Sequence, residues 1–242
     1  MPAQAADRKG IMIGIIGAMA EEVAELKNIM TDTLEHKIGD MTFVSGKLCG
    51  ADAVITVCGE GKVNAAMCTQ AMIMEYAPEL IINTGVGGGL TAGLKIGDIV
   101  VASAVVEHDL DASALGHERG YVFGLDCVEM PCDPKISALL MECTENFGIS
   151  CRRGIIASGD QFINSTEKKK WLVDMFNASV CEMEGAAIGH VCMRNKVPFG
   201  VLRSISDGGD EGAAVSFTEF AAQAIENSVK IIKLFAERAQ MK

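Results

Sequence analysis

Proline is scarce in this chain, with five in 242 residues, and no long Ser/Gly-rich or charged run separates one part from another. Without a linker there is nothing to divide it in two, and single α/β domains of up to about 250 residues are ordinary. One domain is therefore expected over residues 11–242, preceded by a flexible tail at 1–10. No apolar run reaches the ~18–20 residues that a membrane-spanning helix needs. The first ten residues, MPAQAADRKG, lack the apolar core of a signal peptide. Positive charge is in deficit: 21 Lys and Arg against 32 Asp and Glu leave a formal net charge of −11. That balance excludes the basic face a nucleic-acid binder needs to neutralise phosphates. The one lysine run, Lys168-Lys169-Lys170, is short and isolated, and reads as a solvated helix face. None of the nine cysteines forms a CxxC pair, and no Cys/His group has zinc-finger spacing. Cys49, Cys58, Cys68 and Cys192 stand in apolar surroundings, as small core residues do. Free thiols in this number point to a reducing compartment. A cytoplasmic protein with no membrane or nucleic-acid partner is expected.

What the chain has is apolar content, 49% of residues with a mean hydropathy of +0.26. This is enough for a large core, with an excess that would suit a subunit interface. Strand-like and helix-like segments alternate. Strands are expected at Ile11–Ile16, Leu80–Asn83, Asp98–Val105, Gly154–Ser158, Ala178–Cys181 and Phe199–Ile205. A hairpin is expected from Thr42–Cys49 to Ala53–Cys58. Helical spacing covers Ala18–Met30, Val63–Tyr76, Lys135–Phe147, Glu167–Phe176, Gly185–Arg194 and Phe217–Arg238. Such alternation predicts an α/β fold: one domain with a mixed, mainly parallel central sheet flanked by helices on both faces.

In sheets of this kind ligands sit at the carboxyl ends of the strands, and four strand ends carry polar residues of interest. The richest is Val201-Leu202-Arg203-Ser204-Ile205-Ser206-Asp207, a buried strand that turns polar into an arginine, hydroxyls and a carboxylate. A second is Gly17-Ala18-Met19-Ala20-Glu21-Glu22. Here a helix start accounts for acidic residues by its dipole alone, while the sharper reading turns one glutamate into the cleft as a proton acceptor. A third is Cys181-Glu182-Met183-Glu184, where two carboxylates beside a methionine would suit the hydroxyls and flat face of a ribose, or simply a helix N-terminus. The fourth is Ser158-Gly159-Asp160-Gln161-Phe162-Ile163, whose lone aromatic would either stack on a base or anchor the loop. Between them stands Asn83-Thr84-Gly85-Val86-Gly87-Gly88-Gly89-Leu90. It begins a dinucleotide fingerprint but has Leu90 where the last glycine belongs, and it lacks the Gly-Lys-Ser/Thr of a phosphate-binding P-loop. A tight turn and a sugar- or phosphate-contacting loop both remain open. His108-Asp109-Leu110-Asp111 resembles a string of metal ligands without the helical spacing of a His-pair site; a polar loop at a subunit contact is the better reading.

Eight segments, in order and spanning nearly the whole chain beyond residue 10, resemble the 5'-methylthioadenosine/S-adenosylhomocysteine nucleosidases of the purine nucleoside phosphorylase superfamily. They are GIIGAMAEEV (Gly14–Val23), INTGVGGGL (Ile82–Leu90), KIGDIVVA (Lys95–Ala102), HDLDASALG (His108–Gly116), SGDQFI (Ser158–Ile163), CEMEGAAI (Cys181–Ile188), VPFGVLRSISD (Val197–Asp207) and SFTEF (Ser216–Phe220). The resemblance implies Asp207 as the general acid at adenine N7, oriented by Ser206, and Glu22 as the general base for water, with Arg203 helping to position that water. It implies Glu184, with Glu182 beside it, at the ribose hydroxyls and Met183 on the sugar. Phe162 and Ile163 would meet the adenine, with Met19 and Gly88 completing the pocket wall. Phe217, and Leu115 from a neighbouring subunit, would line the 5' pocket, so a homodimer is implied. No metal and no organic cofactor is implied.

Phosphorylases of this superfamily hold phosphate with an arginine in the first strand-end loop. Here that loop is acidic, which favours hydrolysis. Val86-Gly87 replaces the Ser or Thr with Ala common after Asn-Thr-Gly, so a hydroxyl is missing there. Gly208-Gly209 loosens the turn after Asp207, and His117 stands where an aromatic is common at the dimer pocket rim. The rivals are an aminofutalosine-type nucleosidase, a purine or uridine phosphorylase, a non-catalytic nucleoside-binding protein on the same scaffold, and a Rossmann oxidoreductase.

Overall fold

The structure is a computed structural model that describes residues 10–240; nearly all of the tail expected at 1–10 lies outside the described residues. In chain order the elements are β1 (Met12–Gly17), α1 (Ala20–Asn28), β2 (Thr31–Ile38), β3 (Met41–Leu48), β4 (Ala51–Val57), α2 (Lys62–Tyr76), β5 (Leu80–Gly89) and β6 (Ile99–Glu107). There follow β7 (Met130–Pro131), α3 (Pro134–Glu145), β8 (Cys151–Ser158), α4 (Thr166–Phe176), β9 (Ala178–Glu182), α5 (Gly185–Asn195), β10 (Phe199–Asp207) and α6 (Ala213–Ala239).

The strands form one mixed sheet. At its centre β4, β1, β5 and β10 run parallel. On one side β2, β3 and β4 make an antiparallel edge. On the other, the order β10-β6-β8-β9 returns to β5, because β9 pairs antiparallel with β5 at Cys181–Gly88 and Val180–Gly89. Five strands thus close on themselves, and the antiparallel pairs β10–β6 and β5–β9 that achieve this are not implied by strand–helix alternation. Helices α2 and α5 pack on one face through Cys68, Met72, Ala186, Ile188 and Cys192. Helices α1, α3 and α6 cover the other through Leu26, Leu140, Ile232 and Phe235. A third cluster seats Leu172 and Phe176 of α4 against Val106, Ala157 and Ile163.

Local chemistry explains the ends of several elements. Asp133 caps α3 by accepting from the N–H groups of Lys135 and Ile136, with Pro134 at the first helical position. The β3–β4 hairpin turns at Cys49 and Gly50, both at positive φ (49° and 89°), the geometry that matches strand twist across a two-residue turn. The edge strand β2, TDTLEHKI, has no expected counterpart: it is exposed on both faces, so it carries no apolar alternation, and its charges guard an open edge. Helix α6 begins at Ala213, a full turn before the expected Phe217.

The largest correction concerns the glycine segment. Gly85–Gly89 is the end of β5, neither a turn nor a phosphate loop. Its glycines serve strand closure. A Cβ on Gly87 would lie 2.6 Å from Val180 Cγ1, and one on Gly88 would lie 2.9 Å from Cys181 Sγ and 2.8 Å from Asp207 Oδ1.

Candidate active site

Closing the sheet gathers the carboxyl ends of β1, β5, β9 and β10 around one cavity of about 240 Å³, just below the usual range for small-ligand pockets. Met19, Glu22, Gly88, Phe162, Ile163, Glu182, Met183, Glu184, Ser206, Asp207 and Phe217 all line it. Ala18, Glu60, Val86, Gly87, Gln161 and Cys181 line it too, and no sequence signal marked Glu60. Among the described lining residues there is no lysine or arginine. Arg203 and Leu115 stand apart from the rest. Arg203 is 1% exposed and lies behind the cavity wall; Leu115, in a short turn at Ser113–Leu115, is 77% exposed and away from its own protomer's cavity.

Glu22 sits in the first turn of α1 but does not face solvent. Its Oε2 accepts from the N–H groups of Ala18 (2.7 Å) and Met19 (3.0 Å), and its Oε1 accepts from Val86 N–H (3.1 Å) on β5. It bends back into the strand-end cleft, where the sharper reading puts it. Burial raises its pKa, against the Arg203 charge and the three N–H donors, which favour the carboxylate. Gly85 makes room for it: a Cβ there would lie 2.9 Å from Glu22 Cδ and closer still to Oε1. Gly85→Ala is expected to push the carboxylate off Val86 and cut turnover roughly tenfold, below the ~10²-fold cost of a full 1 Å misplacement. Because the side chain tip can move, the melting temperature should hardly change; thermal unfolding beside kinetics checks both halves.

Asp207 ends β10. Its Oδ1 accepts from Gly209 N–H (2.9 Å) and its Oδ2 lies 2.8 Å from Ser206 Oγ. Burial raises its pKa above the 3.8 of a free aspartate, with Asp210 adding to the rise, while Gly209, Ser206 and Lys169 oppose it. A hydroxyl is a suitable neighbour for a carboxyl that gains and loses a proton, since it donates to one form and accepts from the other.

The two glutamates of β9 have different fates. Glu182 is spent on the protein: it accepts from Ser158 Oγ, from Arg203 Nη2, and from the N–H groups of Glu184 (3.1 Å) and Gly185 (2.8 Å). Its acceptors are thus largely engaged within the protein, although it also lines the cavity. Among the described residues Glu184 accepts only from Gly61 N–H (2.9 Å), with Arg203 Nη2 at 3.7 Å, and it faces the cavity with capacity to spare. Its pKa is raised by burial first and by Glu182 second. Arg203 donates to Asn83 Oδ1 (2.6 Å) and to Leu202 O (3.1 Å), so its guanidinium organises carboxylates rather than lining the cavity.

Phe162 and Phe217 meet edge to face across the cavity mouth, ring centroids 5.9 Å apart. His108 is buried rather than in an exposed loop, edge-on to Trp171. Asp109 pairs with Lys62 (2.7 Å) and accepts from Asp160 N–H (2.8 Å), so it is spent on tying loops together. The lysine run is not a uniform solvated face. Lys170 pairs with Asp174 outside, Lys168 lies 4.0 Å above the Trp171 ring, and Lys169 turns inward to donate to the carbonyls of Gly89 (3.0 Å) and Gly208 (2.6 Å).

The sequence model of the phosphorylase superfamily matches residues 12–237 of this chain. A 5'-methylthioadenosine/S-adenosylhomocysteine nucleosidase of Haemophilus influenzae (strain PittEE) is 42% identical over 227 residues, 93% of this chain and 99% of the relative. The crystal structure of the nucleosidase of that name from Neisseria meningitidis, in complex with methylthio-immucillin-A, matches with a TM-score of 0.91 at 34% identity, covering 94% of this chain and 99% of that one. The native structure of futalosine hydrolase of Helicobacter pylori strain 26695 matches with a TM-score of 0.90 at 36% identity, over 94% and 98%. The chain belongs to the 5'-methylthioadenosine/S-adenosylhomocysteine nucleosidase family.

Proposed function

We propose that this protein hydrolyses the N-glycosidic bond of 5'-methylthioadenosine and S-adenosylhomocysteine, releasing adenine and a 5-thioribose product. The observation that carries this reading is that Glu22, in the first turn of the helix after β1, and Asp207, at the end of β10, are buried carboxylates that line one cavity. Cleavage leaves positive charge on the ribosyl ring and negative charge on the departing purine. Asp207, whose pKa burial raises, donates a proton to adenine N7 and neutralises the second charge. Glu22, its oxygens fixed by backbone N–H groups, takes a proton from the attacking water. Glu184 holds the ribose hydroxyls beside Met183, and the carboxylate of Glu22 stabilises the cationic ring. The adenine lies against Phe162 and Ile163 and the 5' substituent runs toward Phe217. Arg203 acts through Glu182 and Glu184 rather than by reaching the water.

A cavity with acidic walls and no lysine or arginine among its described lining residues repels a phosphate dianion and admits water, which supports hydrolysis over phosphorolysis. The likeness to a futalosine hydrolase supports a second reading, an aminofutalosine-type nucleosidase with the same acid and a larger 5' group. Incubation with methylthioadenosine, S-adenosylhomocysteine and aminofutalosine, with and without phosphate, separates these. Free adenine from the first two without phosphate is expected; release that requires phosphate rejects the hydrolase.

We place the enzyme in the cytoplasm, in methionine salvage, and as a homodimer. Val63, Met67 and Met74 stand exposed along α2, and Leu115 is available to a neighbour's 5' pocket. Light scattering is expected to give twice the 25.6 kDa chain mass.

A further inference from the structure

We propose that Lys169 is a positioning residue for Asp207 that acts through the Gly208–Gly209 peptide group. This peptide is gripped at both ends. Its carbonyl, that of Gly208, accepts from Lys169 Nζ at 2.6 Å. Its N–H, that of Gly209, donates to Asp207 Oδ1 at 2.9 Å. Because the peptide is planar, fixing the carbonyl also fixes the direction of the N–H. A cation on the carbonyl oxygen polarises the group and strengthens the N–H as a donor. The same ammonium donates to Gly89 O at 3.0 Å, so it ties the end of β5 to the end of β10 across the closed sheet.

The turn needs such a tether. Gly209 has φ +61°, a backbone region open to glycine, and Gly208 has no side chain to anchor it. Two adjacent glycines leave the carboxyl of Asp207 dependent on whatever holds their peptide plane. Lys169 reaches it from α4, which packs against β8 and β9 but contributes no side chain to the cavity lining.

Beside Ser206 Oγ, the titratable groups among the described residues that bear on Asp207 are Asp210 from its own segment, the Cys181 thiol from β9, and Lys169 from α4. Lys169 is the one cation among them. Removing it weakens the donor and takes away positive charge, so both effects favour the protonated carboxyl. The sign follows: the pH at which Asp207 loses its proton rises.

This inference rests on Asp207 as the general acid, and two readouts keep the two claims apart. The first is the pH profile of kcat for adenine release in wild type, Lys169→Met, Lys169→Arg and Lys170→Met. Lys169→Met is expected to lower the plateau several-fold and move the alkaline limb up by about half a pH unit or more. Lys169→Arg, which keeps charge and donor, should restore the position of the limb, and Lys170→Met should leave the profile unchanged. A limb that stays in place in Lys169→Met, whether or not the plateau falls, overturns the proposal, because a mere structural clamp gives that result. The second readout is infrared titration of the Asp207 carboxyl band, assigned by its loss in Asp207→Asn. It needs no turnover, so it tests the role of Lys169 even if the wild type releases no adenine and the proposed function fails. Should Lys169→Met not fold, Lys169→Gln, a neutral donor, takes its place, with the alkaline limb expected to move in the same direction.

Discussion

Asp207→Asn is expected to slow adenine release by roughly 10²–10⁴-fold, the range attached to losing a general acid. Asparagine has the shape of the protonated carboxyl. It can still accept from Gly209 N–H and meet Ser206, so the cavity should be preserved while the transferable proton is gone. Release at near the wild-type rate would remove Asp207 from the mechanism. The same substitution carries a stability signature of opposite sign. Burial raises the folded pKa of Asp207 above the 3.8 of a free aspartate. Between the two values the folded state holds a proton that the unfolded chain has released. Stability is therefore lost as pH rises through that window, by about 1.4 kcal/mol for each pH unit the window spans. Asparagine does not titrate. The variant should melt higher than wild type at pH 8 and no differently near pH 4, and thermal unfolding at the two pH values checks this.

Glu182→Ala is expected to destabilise the fold by about 3–5 kcal/mol, the usual cost of breaking a buried ion pair from one side. Arg203 would keep only Asn83, the Leu202 carbonyl and a 3.7 Å approach to Glu184, in a site where it is 1% exposed. Ser158 Oγ and the N–H groups of Glu184 and Gly185 would lose an acceptor as well. Because Glu184 starts α5 from the turn that Glu182 holds, turnover should fall together with stability. Urea unfolding supplies the measurement. A loss below about 1 kcal/mol would mean that Glu182 does not hold this network together.

The division of labour between Glu182 and Glu184 shows where local reading stops. Both are acids at one strand end, and both are buried. Only the neighbours brought by β8 and β10, Ser158 and Arg203, fill the acceptors of one and leave the other open. Glu22 is a parallel case. A glutamate in the first turn of a helix has a sufficient local explanation, and it takes Val86 N–H from β5, in space the glycine at 85 leaves open, to turn it into the cleft.

The sequence by itself determined the alternation of strands and helices, the single domain, the strand ends that carry chemistry and the family they resemble. These are written in apolar periodicity and in short runs whose meaning is local. Closure of the sheet was decided by tertiary structure alone, because the pairing of β5 with β9 joins segments some ninety residues apart at two residue pairs, with no periodic signal. So was the inward turn of Lys169, which in sequence is one of three identical side chains. Which of them meets water and which meets a backbone carbonyl depends on the angle at which α4 lies against the sheet, and that angle is set by packing rather than by any residue in the run.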